Sequence, residues 1–143
     1  AATTRLCGCG QGGGTDRLRD AAWLEKALKL SPDQARQVGA LAAGLGRTVE
    51  GCGGRQCEAR AAAGDLVTAA TFDERAARRA LGDMAREQTE SDLATLRFLH
   101  EVHRLLEPAQ RPALSKLVHA CVCDGCASCA RGGAGRGAVS SEQ

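Results

Sequence analysis

Leu30-Ser31-Pro32-Asp33-Gln34 is the stretch on which the reading of the fold turns. Ser31 is a preferred helix N-cap, because its hydroxyl can accept a hydrogen bond from an amide of the first turn. Pro32 suits the first helical position, where its missing N–H removes a donor that has no intrahelical partner anyway. Gln34 stands three residues after Ser31 and completes a capping box. Downstream, Val38, Leu41, Leu45 and Val49 recur at helical steps toward Leu66. Thr71-Phe72-Asp73-Glu74 is a second capping box. It opens a further segment whose stripe reads Leu81, Met84, Gln88, Leu96, Leu99, His103 and Leu106.

Working outward, a first segment runs from about Asp16 to Leu30, capped by Thr15 or Asp16, with Trp23, Leu24 and Leu28 as its apolar face. A fourth starts near Pro108 and carries Leu114, Leu117 and Val118. The expected fold is therefore all-α, with four helices. The short Ala70-Thr71-Phe72 turn makes segments two and three an antiparallel hairpin about 50 Å long, at 1.5 Å per residue. Residues 1–14, rich in Gly with Cys7 and Cys9, are expected to form a flexible arm. Residues 15–120 form the helical domain, and 121–143 a cysteine-rich tail.

The second segment poses a conflict. Gly39, Gly44, Gly46, Gly51, Gly53 and Gly54 each cost about 0.8–1 kcal/mol against Ala inside a helix. Propensity alone breaks the segment at Gly51-Cys52-Gly53-Gly54. The competing reading is a helix continuous to about Ala70, whose glycines let a partner helix approach closely.

Composition narrows the class. The 143 residues include 27 Ala but only 25 Leu, Val, Ile and Phe together, with no Ile and no Tyr. So few β-branched and aromatic side chains exclude a sheet protein. They also leave too little apolar surface for a large core, which predicts a homodimer burying Trp23 and the Leu faces of segments one and three. A net charge of +2 and the lack of an aromatic platform argue against nucleic acid as a partner. No apolar run reaches the length of a membrane span. The start at Ala1-Ala2-Thr3-Thr4 reads as a trimmed chain from which a signal or anchor has been removed.

Leu30-Ser31-Pro32-Asp33-Gln34 has an echo in Leu106-Glu107-Pro108-Ala109-Gln110-Arg111-Pro112. Paired Leu-Thr/Ser-x-x-Gln boxes at these places resemble the periplasmic metal-resistance family, which includes CnrX-type sensors of nickel and cobalt and the CpxP and ZraP stress proteins. The sensors are the most similar, through Trp23-Leu24 on the first helix and the Leu-x-Pro-x-x-Arg-Pro ending from Leu106 to Pro112. The resemblance covers roughly residues 16–120. It implies an all-α hooked hairpin, usually dimeric and facing the periplasm, and it tips the second segment toward continuity. It also implies where a nickel or cobalt site would lie. There this chain has Ala21 and Glu25 flanking Trp23-Leu24, and Phe98 where a later His is expected. That site does not carry over.

Cysteine is where this chain's own chemistry lies. Cys121, Cys123, Cys126 and Cys129 place four thiolates within nine residues, and Gly125 helps the turn. Such density suits Zn(II) or Cu(I), so copper or zinc is the expected soft ion. Cys7 and Cys9 are too close for an easy mutual bridge and would join this cluster if the two ends of the fold meet. His119, two residues before Cys121, is a candidate extra ligand. Cys52 and Cys57 lie about 140° apart on a continuous helix and cannot share one ion there. His100 and His103 share a face and could hold a metal with a Cys or Glu58, although His103 also fits the helical stripe. In an oxidising compartment the same eight cysteines could instead form disulfides. The Arg75, Arg78 and Arg79 run beside Glu74 reads as a solvated face.

Spacing and context argue against an iron–sulfur cluster, attached haem, a phosphate loop and a thiol oxidoreductase, and no catalytic constellation is legible. The chain is thus expected to be a binding protein and not an enzyme. The reading that follows is a periplasmic heavy-metal sensor or resistance protein that binds a soft ion through cysteines and changes conformation. If membrane-anchored, it would work beside a signalling partner such as an anti-sigma factor. The alternative is a stress chaperone of the CpxP/ZraP kind with structural disulfides.

Overall fold

A computed structural model describes residues 14–123. The elements are α1 (Gly14–Leu18), α2 (Ala21–Leu28), α3 (Pro32–Val67), α4 (Glu74–Leu105) and α5 (Arg111–Cys123). Among the described residues there is no strand, so the all-α expectation holds. The expected single first helix is instead two. The chain leaves helical geometry at Asp20, which is extended, and its carboxylate accepts from the amides of Ala22 and Trp23. A competent N-cap at that point restarts the helix and fixes the break.

α3 starts as its sequence dictates. Ser31 accepts from the Gln34 amide at 3.2 Å, and Gln34 Oε1 accepts from the Ser31 amide at 2.9 Å. The helix then runs unbroken for 36 residues through Gly51-Cys52-Gly53-Gly54, about 54 Å at 1.5 Å each. The glycines do not serve close approach of α4. A Cβ built on Gly39, Gly46, Gly53, Gly54 or Gly64 would meet nothing within 4 Å. α4 is opened not by the expected box from Thr71 to Glu74 but by Asp73, whose carboxylate accepts from the Ala76 amide.

α3 and α4 lie side by side and antiparallel. Gln34 at the start of α3 donates to the Leu105 carbonyl at 2.8 Å, and farther along Gln56 donates to Gln88 at 3.2 Å. Leu18, Leu24, Leu28, Val38, Leu45, Phe98, Leu99, Val102, Leu106 and Leu114 form one core, and Trp23 packs against it half-buried. α1, α2 and α5 thus cover one end of the α3–α4 pair.

Two glutamines tie that end together. Gln34 Nε2 donates to Gln110 Oε1 at 2.9 Å, and Gln110 Nε2 donates to Gln34 Oε1 at 3.2 Å. Gln110 Nε2 also lies 3.3 Å from the Leu28 carbonyl and 3.1 Å from that of Lys29. Lys29 is left-handed, with φ 52°. That conformation costs a non-glycine residue about 1–2 kcal/mol, and it turns α2 back toward α3.

The expected stripe on α4 is wrong in part. Leu99 and Leu106 are buried, but Leu81 and Leu96 are 58% and 61% exposed, and Gln88 and His103 also face solvent. The inward face is Ala80, Ser91, Thr95, Phe98, Leu99 and Val102. Ser91 and Thr95 are buried despite being polar because Arg19 reaches them from beyond α1. Its Nε donates to Thr95 Oγ1 at 2.9 Å, and its Nη2 lies 3.5 Å from Ser91 Oγ. A satisfied hydroxyl can occupy a core position that an apolar count assigns elsewhere.

Candidate metal centre

α1 lies against α5, and Leu18 and Leu114 from these helices are both buried in the core. In sequence, Cys7 and Cys9 precede α1, and α5 ends at Cys123. Cys7, Cys9, Cys126 and Cys129 lie outside the described residues.

His119 is exposed on α5, and its Nδ1 lies 2.7 Å from the Ser115 carbonyl oxygen. A carbonyl can only accept, so Nδ1 carries the proton. The neutral ring then keeps its lone pair on Nε2, the atom free to bind a metal.

The remaining candidates are kept apart. His100 and His103 are both exposed on α4. Glu58 is on α3, and the Gln56–Gln88 contact sets it across from the middle of α4. It is therefore more than about 15 Å along the helix from His100, too far to complete a site there. His103 is not the stripe residue the sequence suggested. Cys52 and Cys57 are five residues apart on the unbroken α3, buried and half-buried respectively. That spacing puts their Cα atoms beyond disulfide range of each other. Cys52 Sγ instead lies 3.6 Å from Arg55 Nη2, and Arg55 Nε is 2.9 Å from Glu87 Oε2. That Glu87 oxygen is closed to solvent, with no donor aligned on it, so the Arg55 charge is what compensates it. Among the described residues no three His, Cys, Asp or Glu side chains are grouped to hold a metal ion.

Of the three positions that the resemblance marks for a nickel or cobalt site, two lie in or on the core. Phe98 is 5% exposed within the core, Ala21 packs on that core, and Glu25 faces solvent.

Arg19 and the Gln34–Gln110 pairing are the structural contacts that sequence reasoning missed. Arg19 left no local signal, since its partners are more than 70 positions away. The glutamine pairing did leave one, in the echo of the two Gln boxes.

The class defined by this architecture is an all-α protein in which three short helices cover one end of a long antiparallel pair. The chain belongs to the heavy-metal resistance family, which it matches over residues 1–113. No curated protein and no solved structure matches it. Among the described residues, no helix is long and apolar enough to cross a membrane.

Proposed function

We propose that this protein is a periplasmic heavy-metal-binding sensor or resistance protein, not an enzyme, whose cysteines take up a soft ion such as copper or zinc. The observation that carries this reading is the cysteine content of the chain: Cys121, Cys123, Cys126 and Cys129 fall within nine residues, and Cys7, Cys9, Cys52 and Cys57 bring the total to eight. Membership of the heavy-metal resistance family supports the same reading. Binding reorders the helical dimer or its cysteine-rich tail and changes the surface a partner meets, the simplest route from metal to signal. A homodimer in the hooked-hairpin form of the CnrX-type sensors is part of the proposal. Leu81, Leu93 and Leu96, exposed on α4, supply apolar surface for a second copy. An upstream membrane anchor beside an anti-sigma factor fits a sensor.

The test is thiol titration with metal analysis on protein purified anaerobically. A thiolate-to-metal absorption band and bound copper or zinc support the reading. Eight oxidised cysteines and no metal refute it and favour the disulfide-bonded chaperone.

A further inference from the structure

Leu93, Leu96, His100 and His103 follow one another on α4 at steps of three, four and three. At about 100° per residue they fall within an arc of roughly 80°. That arc lies opposite the buried side formed by Ser91, Thr95, Phe98 and Val102. All four side chains are exposed. Alternating steps of three and four are the spacing of a coiled-coil seam, which a single chain leaves in water.

Two imidazoles three positions apart share a helix face, and donors at that spacing converge on metal ions between the helices of carboxylate bundles. They are half of a tetrahedral Zn(II) set. The same chain does not supply the other half, since among the described residues no three His, Cys, Asp or Glu side chains are grouped to hold an ion. A second copy related by a twofold axis parallel to α4 does. A parallel seam sets Leu93 and Leu96 against their own counterparts, and His100 and His103 against theirs. Charge selects the same arrangement. Asp92 and Arg97 are exposed and flank the seam on opposite sides. In a parallel pair, side chains at those flanking positions meet across the interface, so Arg97 faces Asp92 of the second copy, twice by symmetry. Arg104, on the same flank as Arg97, is already paired with Glu101 at 3.4 Å. Both arginines beside the histidines are thus compensated, and a cation is not repelled. An antiparallel seam would instead set the Arg97 and Arg104 flanks of the two copies against each other.

We propose that His100 and His103 from each of two copies form a four-histidine Zn(II) site across a parallel α4–α4 seam. This inference rests on the homodimer in the reading above and adds a metal centre separate from the cysteines. An all-imidazole set suits Zn(II), whereas thiolates select Cu(I).

The test uses the full chain, reduced and anaerobic, with its mass followed by sedimentation equilibrium in EDTA and in Zn(II). With free Zn(II) at about 100 times the dissociation constant of the site, the dimer association constant should rise about 100-fold. His100→Ala and His103→Ala should each abolish that rise, with the dimer in EDTA at least as tight as the parent's and helical content by circular dichroism intact. A variant with Cys7, Cys9, Cys121, Cys123, Cys126 and Cys129 all changed to Ser should keep the rise. Co(II) bound to that variant should show tetrahedral d–d absorption without a thiolate-to-metal band. Persistence of the rise in either histidine variant, or its loss in the cysteine variant with helicity intact, overturns the proposal. A parent that is dimeric in EDTA but indifferent to Zn(II) also overturns it and leaves the homodimer standing. A parent that is monomeric under both conditions ends both. The cysteine reading is decided apart from these outcomes, by the thiolate-to-metal band of the parent.

Discussion

Near Gln34 and Leu105 the α3–α4 pair is filled by Val38, Leu45, Phe98, Leu99 and Val102, and covered by Leu24, Leu28 and Leu114. Beyond Cys52 and Ser91 the same two helices bury little more than Cys52 and Ala80, while Val67 and Phe72 at the far end are 77% and 63% exposed. The far half is held by its capping Asp73, the Arg55–Glu87 ion pair and the Gln56–Gln88 contact. One pair of helices thus shows two ways of staying helical. The near half depends on apolar burial, and the far half on local helix signals and polar cross-links. The near half is also where α1 meets α5.

The sharpest way to break this comparison is to cut a core residue in each half. Leu24→Ala removes a fully buried side chain and is expected to cost about 2–5 kcal/mol in denaturant unfolding. Cys52→Ala in the far half should cost distinctly less, and equal losses would abolish the distinction. Next in size is Gln110→Ala, which leaves Gln34 and the carbonyls of Leu28 and Lys29 without this donor. A loss of about 1–3 kcal/mol is expected, read as a lower denaturant midpoint.

Smaller still is a gain. Gly53→Ala adds a methyl group where nothing lies within 4 Å, so it should stabilise α3 by about 0.8–1 kcal/mol. The matching measurement is a higher melting temperature with unchanged helical content; destabilisation would mean that this face is already covered by a partner. The smallest effect is expected at the exposed Arg78–Glu74 pair, 2.7 Å apart on α4. Arg78→Ala should cost no more than about 0.5 kcal/mol and less at high salt, which a thermal melt in two salt concentrations can check.

The class of fold was legible because the Ser31–Gln34 capping box and the scarcity of β-branched residues are local facts. The stripe on α4 was not. Ser91 and Thr95 are core residues only because Arg19 arrives from a distant segment, so counting apolar residues shifted the inward face toward Leu81, Leu96 and His103. The break at Asp20 was readable in principle, as a capping residue, but the apolar run through Leu24 and Leu28 concealed it. In the candidate site the cysteines were visible at once. Their spacing treats the four tail cysteines alike. The tautomer of His119 depends on a carbonyl one turn back, which no residue type reveals.

The Gln34–Gln110 clasp also has a kinetic side. It joins positions 76 apart, whereas Gln56 and Gln88 are 32 apart and much nearer the turn between α3 and α4. Loop-closure entropy rises with separation, so the turn end can zip early while the clasped end must wait for a longer segment to close. The strongest apolar contacts are therefore among the last to form. Gln110→Ala should accordingly speed unfolding and leave the folding rate nearly untouched in stopped-flow chevrons, the signature of a contact absent from the transition state. How long α1, α2 and α5 stay closed over that end of the α3–α4 pair is then governed by the opening rate of this one amide pair.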